Sequence, residues 1–389
     1  MKKRLISALL LVCVSTVLAA GCGSGEPAET VDLNSMTLEE IETQAKEEGA
    51  LESAAMPDTW ANWGETWQEY TDLYGISHVD TDMSSAEEIA LFEAEGEDAT
   101  KDIGDVGQAF GPVAEEQGVT QPYKTSYWDS IPDWAKDDDG DWIIGYYGTM
   151  SVIVNNKIVE DTPTSFADIL EGDYMVAVGD VQAATQAQYA VLAAAIAYGG
   201  DESDIGPGLN YFRQIAEQGR LDLGEFTQAR IEKGEVGVAF LWDFNALGYR
   251  EQFVENNPDA DFSVFIPSEA SIQTGYATII NKYSKHPCAA ALAREYILSD
   301  EGQINLAKGY ATPIREDVEL PDDVASKLLD DSQYSKARMV EDQEAWDETA
   351  ATIGTLWQEE VVAYAQEATT RKSRACCYWS AALFMYEAG

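Results

Sequence analysis

The chain has 389 residues, 70 of them acidic and 24 basic, for a formal net charge of −46, with 45% hydrophobic and 24% charged side chains. A disordered chain would be poorer in apolar and aromatic residues, and a multi-span membrane protein would carry more than one long apolar run. So negative a surface repels phosphate backbones, which argues against nucleic acid as a partner, and the length provides for about two domains.

The chain opens with Lys2, Lys3 and Arg4, followed by an apolar stretch from Leu5 to Ala20 and then Gly21 and Cys22. This is the three-part layout of an export signal, short for a spanning helix. Leu18-Ala19-Ala20-Gly21-Cys22 resembles the bacterial lipoprotein lipobox, with Leu18 one residue earlier than in its best-known form. The resemblance implies a signal peptide over residues 1–21, a lipid anchor on Cys22, and a membrane-anchored location at the cell surface or in the periplasm. Residues 22–35 read as a flexible tether. Cys13, Cys22, Cys288, Cys376 and Cys377 have no spacing that suggests a disulfide framework or a zinc site.

Helical spacing predicts a helix over 36–48, with Leu38, Ile41 and Ala45 on one face and Gly49 closing it. A second helix is expected to open at Pro57 and Asp58 and to carry Trp60, Trp63, Trp67, Tyr70 and Tyr74. The last three read as a buried stripe, whereas Trp60 and Trp63 stand at the helix start, within a ligand's reach. Strands are expected at 75–82, 103–106, 143–147, 150–154, 175–179, 236–241, 262–266 and 277–281. Helices are expected at 86–95, 165–170, 186–197, 209–218, 288–298 and 301–308. This alternation implies an α/β fold with mostly parallel sheets. The run Asp137-Asp138-Asp139-Gly140-Asp141 lacks an EF-hand's flanking ligands, since those places hold Ala135 and Tyr146, and it reads as a solvated turn.

The only histidines are His78 and His286, and no HExxH, GxSxG or phosphate-binding glycine loop occurs. Both histidines read as structural, and nothing singles out a catalytic carboxylate pair among so many acids. Acid–base work by paired carboxylates stays open on these residues, and no cofactor or catalytic residue is singled out.

Six segments carry a family resemblance: 45–70, 102–119 (DIGDVGQAFGPVAEEQGV), 142–159 (WIIGYYGTMSVIVNNKIV), 163–174, 234–249 (GEVGVAFLWDFNALGY) and 274–317. Together they resemble the extracellular solute-binding proteins of bacterial ABC importers, in the branch of ferric-ion, polyamine, thiamine and aminoethylphosphonate binders. The resemblance implies a type II periplasmic-binding-protein-like fold, α/β and two-lobed, with two segments crossing the hinge. Lobe one would hold 36–147 and 275–366, and lobe two 150–271, with crossings near Tyr147-Gly148 and Ser271–Gly275. It also implies a monomer that binds a small solute between the lobes and presents it to a membrane permease. Residues 367–389, with Arg371, Lys372, Arg374 and the adjacent Cys376 and Cys377, read as an atypical tail.

Ligands in such folds meet strand C-termini and helix N-termini. Those places hold Asp58, Thr59, Trp60 and Asn62; Asp105 and Gln108; Thr185 and Gln186; and Trp242, Asp243 and Asn245. Tyr276 and the hinge residues Tyr146 and Tyr147 complete the expected cleft. Trp242 with Asp243 is the pair best suited to an ammonium group, through cation–π attraction and a charged hydrogen bond. The expected solute is thus an amine-bearing, polyamine-like cation, although Thr274-Gly275-Tyr276 lacks the Trp-x-Asp pattern of polyamine binders. The alternatives are a ferric ion held by Tyr146 and Tyr147, an aminophosphonate with Arg315 as the nearest cation, and a carboxylate-dependent enzyme on the same bilobal fold.

Overall fold

Capping chemistry starts the fold where the sequence places it. Thr37 accepts a hydrogen bond from the Glu40 backbone, and the Glu40 side chain accepts one from the Thr37 backbone, which fixes the start of α1 (Leu38–Glu48); Gly49 ends it in the left-handed region. The computed structural model describes residues 31–366. The expected signal, the Cys22 anchor and the C-terminal tail lie outside those residues. The tether expected to run to residue 35 stops sooner, because Leu33 is already buried and the Asn34 side chain accepts from the Lys124 backbone at 2.8 Å. From Asp32 onward the described residues form one compact unit.

The chain continues through β1 (Ala50–Ala54), α2 (Trp63–Tyr74), β2 (Ser77–Thr81), α3 (Ser85–Glu95), β3 (Ile103–Gly107) and α4 (Phe110–Glu116) to the long strand β4 (Trp142–Asn155). Next come α5 (Phe166–Glu171), β5 (Val176–Ala177), α6 (Thr185–Ala197), α7 (Gly206–Glu217), α8 (Gln228–Glu232), β6 (Val238–Trp242), α9 (Asp243–Asn256) and β7 (Phe262–Phe265). The return strand β8 (Ser271–Ile280) leads into α10 (Pro287–Leu298), α11 (Asp300–Lys308), β9 (Thr312–Pro313), α12 (Asp322–Ala325), β10 (Ala337–Met339) and α13 (Gln343–Trp357). No helix among the described residues is long and apolar enough to cross a membrane.

The strand order is β2-β1-β3-β8-β4-β6-β5. β1 pairs in parallel with β2 and β3, as the alternation predicts. The two strands expected at 143–147 and 150–154 are one, and all pairings of β4 are antiparallel, with β6, β7, β8 and β9. The sheet is therefore mixed rather than mostly parallel, because β4 and β8 run past each other through the middle of the molecule. Trp142–Thr149 of β4 pair with β8, and Met150–Asn155 pair with β6 and β7. Gly148 sits at the change of partners. A Cβ there would stand 2.5 Å from the Phe244 ring, so only glycine lets α9 approach.

Each set of strands carries a buried arginine that binds backbone carbonyls. Arg294, fully buried, donates to the carbonyls of Tyr123, Gly140, Asp141 and Thr278, and burial lowers its pKa to about 10. Arg220 donates to the carbonyls of Ile169, Leu170 and Tyr174. The C-terminal segment corrects the expected grouping of 275–366. Arg338 binds Glu202 through two hydrogen bonds of 2.6 and 2.9 Å, and the rings of Trp346 and Trp357 pack on Tyr189 of α6 and Phe212 of α7. Residues 337–357 thus dress the β5–β6 side, because their aromatic residues find apolar helices there.

Candidate functional site

The turn before α2 sets the site. Ala55, Ala61 and Asn62 have φ of 59°, 45° and 62°, so the helix expected from Pro57 starts only at Trp63. The turn splits the two leading tryptophans. Trp63 is fully buried and stacked on Trp67, and Trp60 is left half-buried. The Trp60 indole N–H donates to the Tyr146 hydroxyl at 2.8 Å, and that hydroxyl donates to Asp105 at 2.6 Å.

Four rings gather around this relay. Trp60 meets Phe244 edge-on at 5.1 Å and Tyr276 at 5.6 Å, while Tyr146 stacks on Tyr276 at 5.2 Å. Behind them lie buried acids. Asp105 is 3% exposed, and its Oδ1 has no hydrogen-bond partner among the described residues. Burial pushes its pKa well above the carboxylate range, against the pull of the Tyr146 hydroxyl. Glu88 on α3 is fully buried with neither carboxyl oxygen partnered among the described residues; burial, then the nearby Asp105, drives its pKa up as well.

The starts of α6 and α9 meet beside the rings, where the Gln186 side-chain oxygen accepts from the Trp242 backbone at 3.1 Å and from the Asn245 amide at 3.4 Å. Trp242 and Asp243, however, are unsuited to gripping an ammonium group. Trp242 is fully buried against Tyr189. Asp243 is fully buried too, accepting from the Thr149 and Phe244 backbones at 2.9 Å and from the Tyr334 hydroxyl at 3.0 Å. Burial raises its pKa to about 6, and those bonds limit the rise. It ties α9 to the middle of β4.

Other expected residues also have structural duties. Gln108 exchanges hydrogen bonds with Gly275 through its side-chain oxygen and its backbone, and the Asn62 amide donates to Glu65 and to the Asn305 carbonyl. Tyr147 leaves β4 on the face opposite Tyr146 and packs in a different core cluster, so the two hydroxyls cannot converge on a metal. Arg315 is buried on the Leu298 carbonyl, Asp300 and Asp317. Asp58, Thr59 and Thr185 are exposed, and Asn245 and Tyr276 are half-buried.

Phe244 is the ring the sequence reading missed; its only signal is its place in the first turn of a helix that follows a strand. Tyr334, which binds Asp243 from a distant segment, left no sequence signal. The histidines are built into the frame. His78 Nε2 lies 2.8 Å from Ser53 Oγ, its ring stacks on Trp67 at 4.1 Å, and burial lowers its pKa to about 4. His286 Nδ1 lies 2.8 Å from Asp102, beside a separate cavity of about 340 Å³. Among the described residues, one group of potential metal ligands gathers closely, Glu115, Asp137 and Asp141, and none of these belongs to the ring cluster. Asp137 accepts from the backbones of Asp139, Gly140 and Asp141, as a turn does.

The arrangement offers aromatic faces, acids and amide groups, with no lysine or arginine in the cluster. The sequence profile of bacterial extracellular solute-binding proteins matches residues 98–344. No curated protein matches the chain by sequence. Solved structures with the same fold include AfuA from Actinobacillus pleuropneumoniae, described with exogenous fructose-6-phosphate bound, at 17% identity and TM-score 0.63, over 80% of this chain and 98% of that one. The ferric binding protein from Campylobacter jejuni is similar at 18% identity and TM-score 0.60, over 79% of this chain and 98% of that one. The spermidine/putrescine ABC transporter substrate-binding protein PotD from Streptococcus pneumoniae is similar at 14% identity and TM-score 0.61, over 80% and 99%. These proteins are named for different solutes, so the likeness speaks for a type II periplasmic-binding fold and leaves the solute open.

Proposed function

Because the chain belongs to the bacterial extracellular solute-binding proteins, we propose that it is the substrate-binding component of an ABC importer. It captures a small amine-bearing cation, polyamine-like, between two halves and hands it to a membrane permease from a lipid anchor on Cys22. One half is built on β1, β2 and β3 with α10 and α11, the other on β5, β6 and β7 with α6, α7 and α9, and β4 and β8 cross between them. Solute touching both Trp60 and Asn245 at the start of α9 favours the closed arrangement, by no more than its differential affinity for closed over open.

The observation that carries the solute class is the ring cluster of Trp60, Tyr146, Phe244 and Tyr276, which is free of basic side chains. Ring faces attract ammonium groups, and a charge of −46 favours the approach of cations and opposes that of anions. Trp60 and Tyr276 meet the solute, with Gln186, Asn245, Thr185, Asp58 and Thr59 offering polar groups around them. Asp105 acts from behind, through Tyr146. The opposed faces of Tyr146 and Tyr147 weigh against a ferric ion, and the lack of a free cation in the cluster against an aminophosphonate.

A thermal-shift panel of putrescine, spermidine, γ-aminobutyrate, aminoethylphosphonate and ferric citrate tests this reading, since a ligand of the native state raises the melting temperature. An amine is expected to raise it. A shift with ferric citrate or aminoethylphosphonate alone, or turnover of any amine, contradicts the proposal.

A further inference from the structure

A second contact joins the two halves away from the rings. Tyr310 is one of four non-glycine residues with positive φ among the described residues, at 68°; the others are Ala55, Ala61 and Asn62. These residues fall in two segments that are packed together. A Cβ on Gly309 would stand 2.4 Å from the Ala61 carbonyl carbon and 2.6 Å from the Asn62 nitrogen, and the Asn62 amide donates to the Asn305 carbonyl at 3.0 Å. The turn that presents Trp60 is therefore seated on the end of α11.

From the same seat Tyr310 reaches α9. Its buried ring lies 4.0 Å from where a Cβ on Gly248 would stand, and its hydroxyl donates to Glu251. The other Glu251 oxygen accepts from Lys327 at 3.2 Å. These three side chains line a cavity of about 500 Å³ with Arg250, Val254 and Phe262, and Glu251 and Lys327 are exposed at its edge. The contact is open to water, where a hydrogen bond can break and reform.

We propose that Tyr310 is a positioning residue that clasps α9 to the Trp60 turn, so keeping Trp60 packed on Phe244 of α9 and placed to meet the solute. The proposal rests on the reading that the two halves close. Left-handed φ at non-glycine residues persists where surrounding contacts enforce it. Here the enforcing contacts are Gly309 against Ala61 and Asn62 on one side, and Tyr310 against Gly248 and Glu251 on the other. Parting the halves breaks only the second set. A hydrogen bond to a charged acceptor is strong enough to bias such an equilibrium and weak enough to let it open.

Tyr310→Phe keeps the ring and removes the hydroxyl, and hydrogen exchange on the solute-free protein reads the result. Amides in 57–62 and 243–251 are expected to exchange roughly tenfold faster, the loss of a hydrogen bond to a charged group. The radius of gyration from small-angle scattering is expected to rise. Glu251→Gln retains an acceptor and is expected to do less than Tyr310→Phe. Unchanged exchange in both segments overturns the clasp, and so does equal acceleration throughout the chain. Should Tyr310→Phe not fold, Glu251→Ala removes the acceptor from the other side and reports on the same amides, and no change in that variant overturns it. No solute is needed, so failure here leaves the amine reading standing, and a failed amine panel leaves the clasp standing.

Discussion

Asp105, in the middle of β3, and Asp243, just after β6, are both buried acids, yet they differ in what their oxygens do. Asp243 accepts three hydrogen bonds, from Thr149, Phe244 and Tyr334, and its pKa rises only to about 6. Asp105 accepts one, from Tyr146, leaves Oδ1 unpartnered among the described residues, and is pushed well above the carboxylate range. Burial alone therefore does not rank candidate site residues. The hydrogen bonds already committed to the frame separate the carboxylate that ties α9 to β4 from the one that meets Trp60 through the Tyr146 hydroxyl.

The largest effect is expected at the committed carboxylate. Asp243→Ala leaves two backbone N–H groups and the Tyr334 hydroxyl without their acceptor, and is expected to cost roughly 3–5 kcal/mol in urea denaturation. A cost below about 1 kcal/mol would erase the distinction drawn here. The stability–pH curve sharpens it at the next level. The folded pKa of Asp243, about 6, lies above its ordinary 3.8, so its contribution to stability is full below 3.8 and is lost as pH rises through 6. His78 has the opposite sign. Its folded pKa, about 4, lies below 6.5, so its contribution is full above 6.5 and is lost as pH falls through 4. At about 1.4 kcal/mol per unit, His78→Gln is expected to flatten the acid limb by roughly 2–3 kcal/mol, and Asp243→Asn to remove the decline between 4 and 6. Denaturation at stepped pH reads both; an unaltered slope in either variant counts against the corresponding assignment. The smallest effect belongs to Asp105→Asn. A neutral carboxyl and an amide both accept from Tyr146, so the stability change is expected to stay within about 1 kcal/mol.

Much of the frame was legible because it follows local rules. Thr37 and Ser84 each cap a helix with a glutamate three residues on, and both α1 and α3 begin where such a box requires. The crossing of β4 and β8 near Gly148 is visible as glycine between two apolar runs. The site was less legible because its geometry depends on pairing between distant residues. The left-handed pair Ala61 and Asn62, of which only Asn62 is a residue type that tolerates that conformation, separates Trp60 from Trp63. The strand pleat separates Tyr146 from Tyr147, although the chain writes them side by side. Trp242 and Asp243 hold the residue types of an ammonium site, but Gln186, Thr149 and Tyr334, each far away in sequence, fix them in the packing between β4, α6 and α9 instead. Phe244 reads as an ordinary apolar helix residue until β4 brings Gly148 beneath it.

The central claim is that an amine is gripped by Trp60 and Tyr276, with Phe244 packed behind Trp60. Calorimetric titration of putrescine, spermidine and γ-aminobutyrate into the wild-type protein and into Trp60→Ala tests it most directly. The account predicts saturable binding of at least one amine by the wild type and an affinity lower by at least about 30-fold in the variant, as for a buried aromatic anchor. Equal affinity in the two proteins, or no amine binding by the wild type, would contradict it.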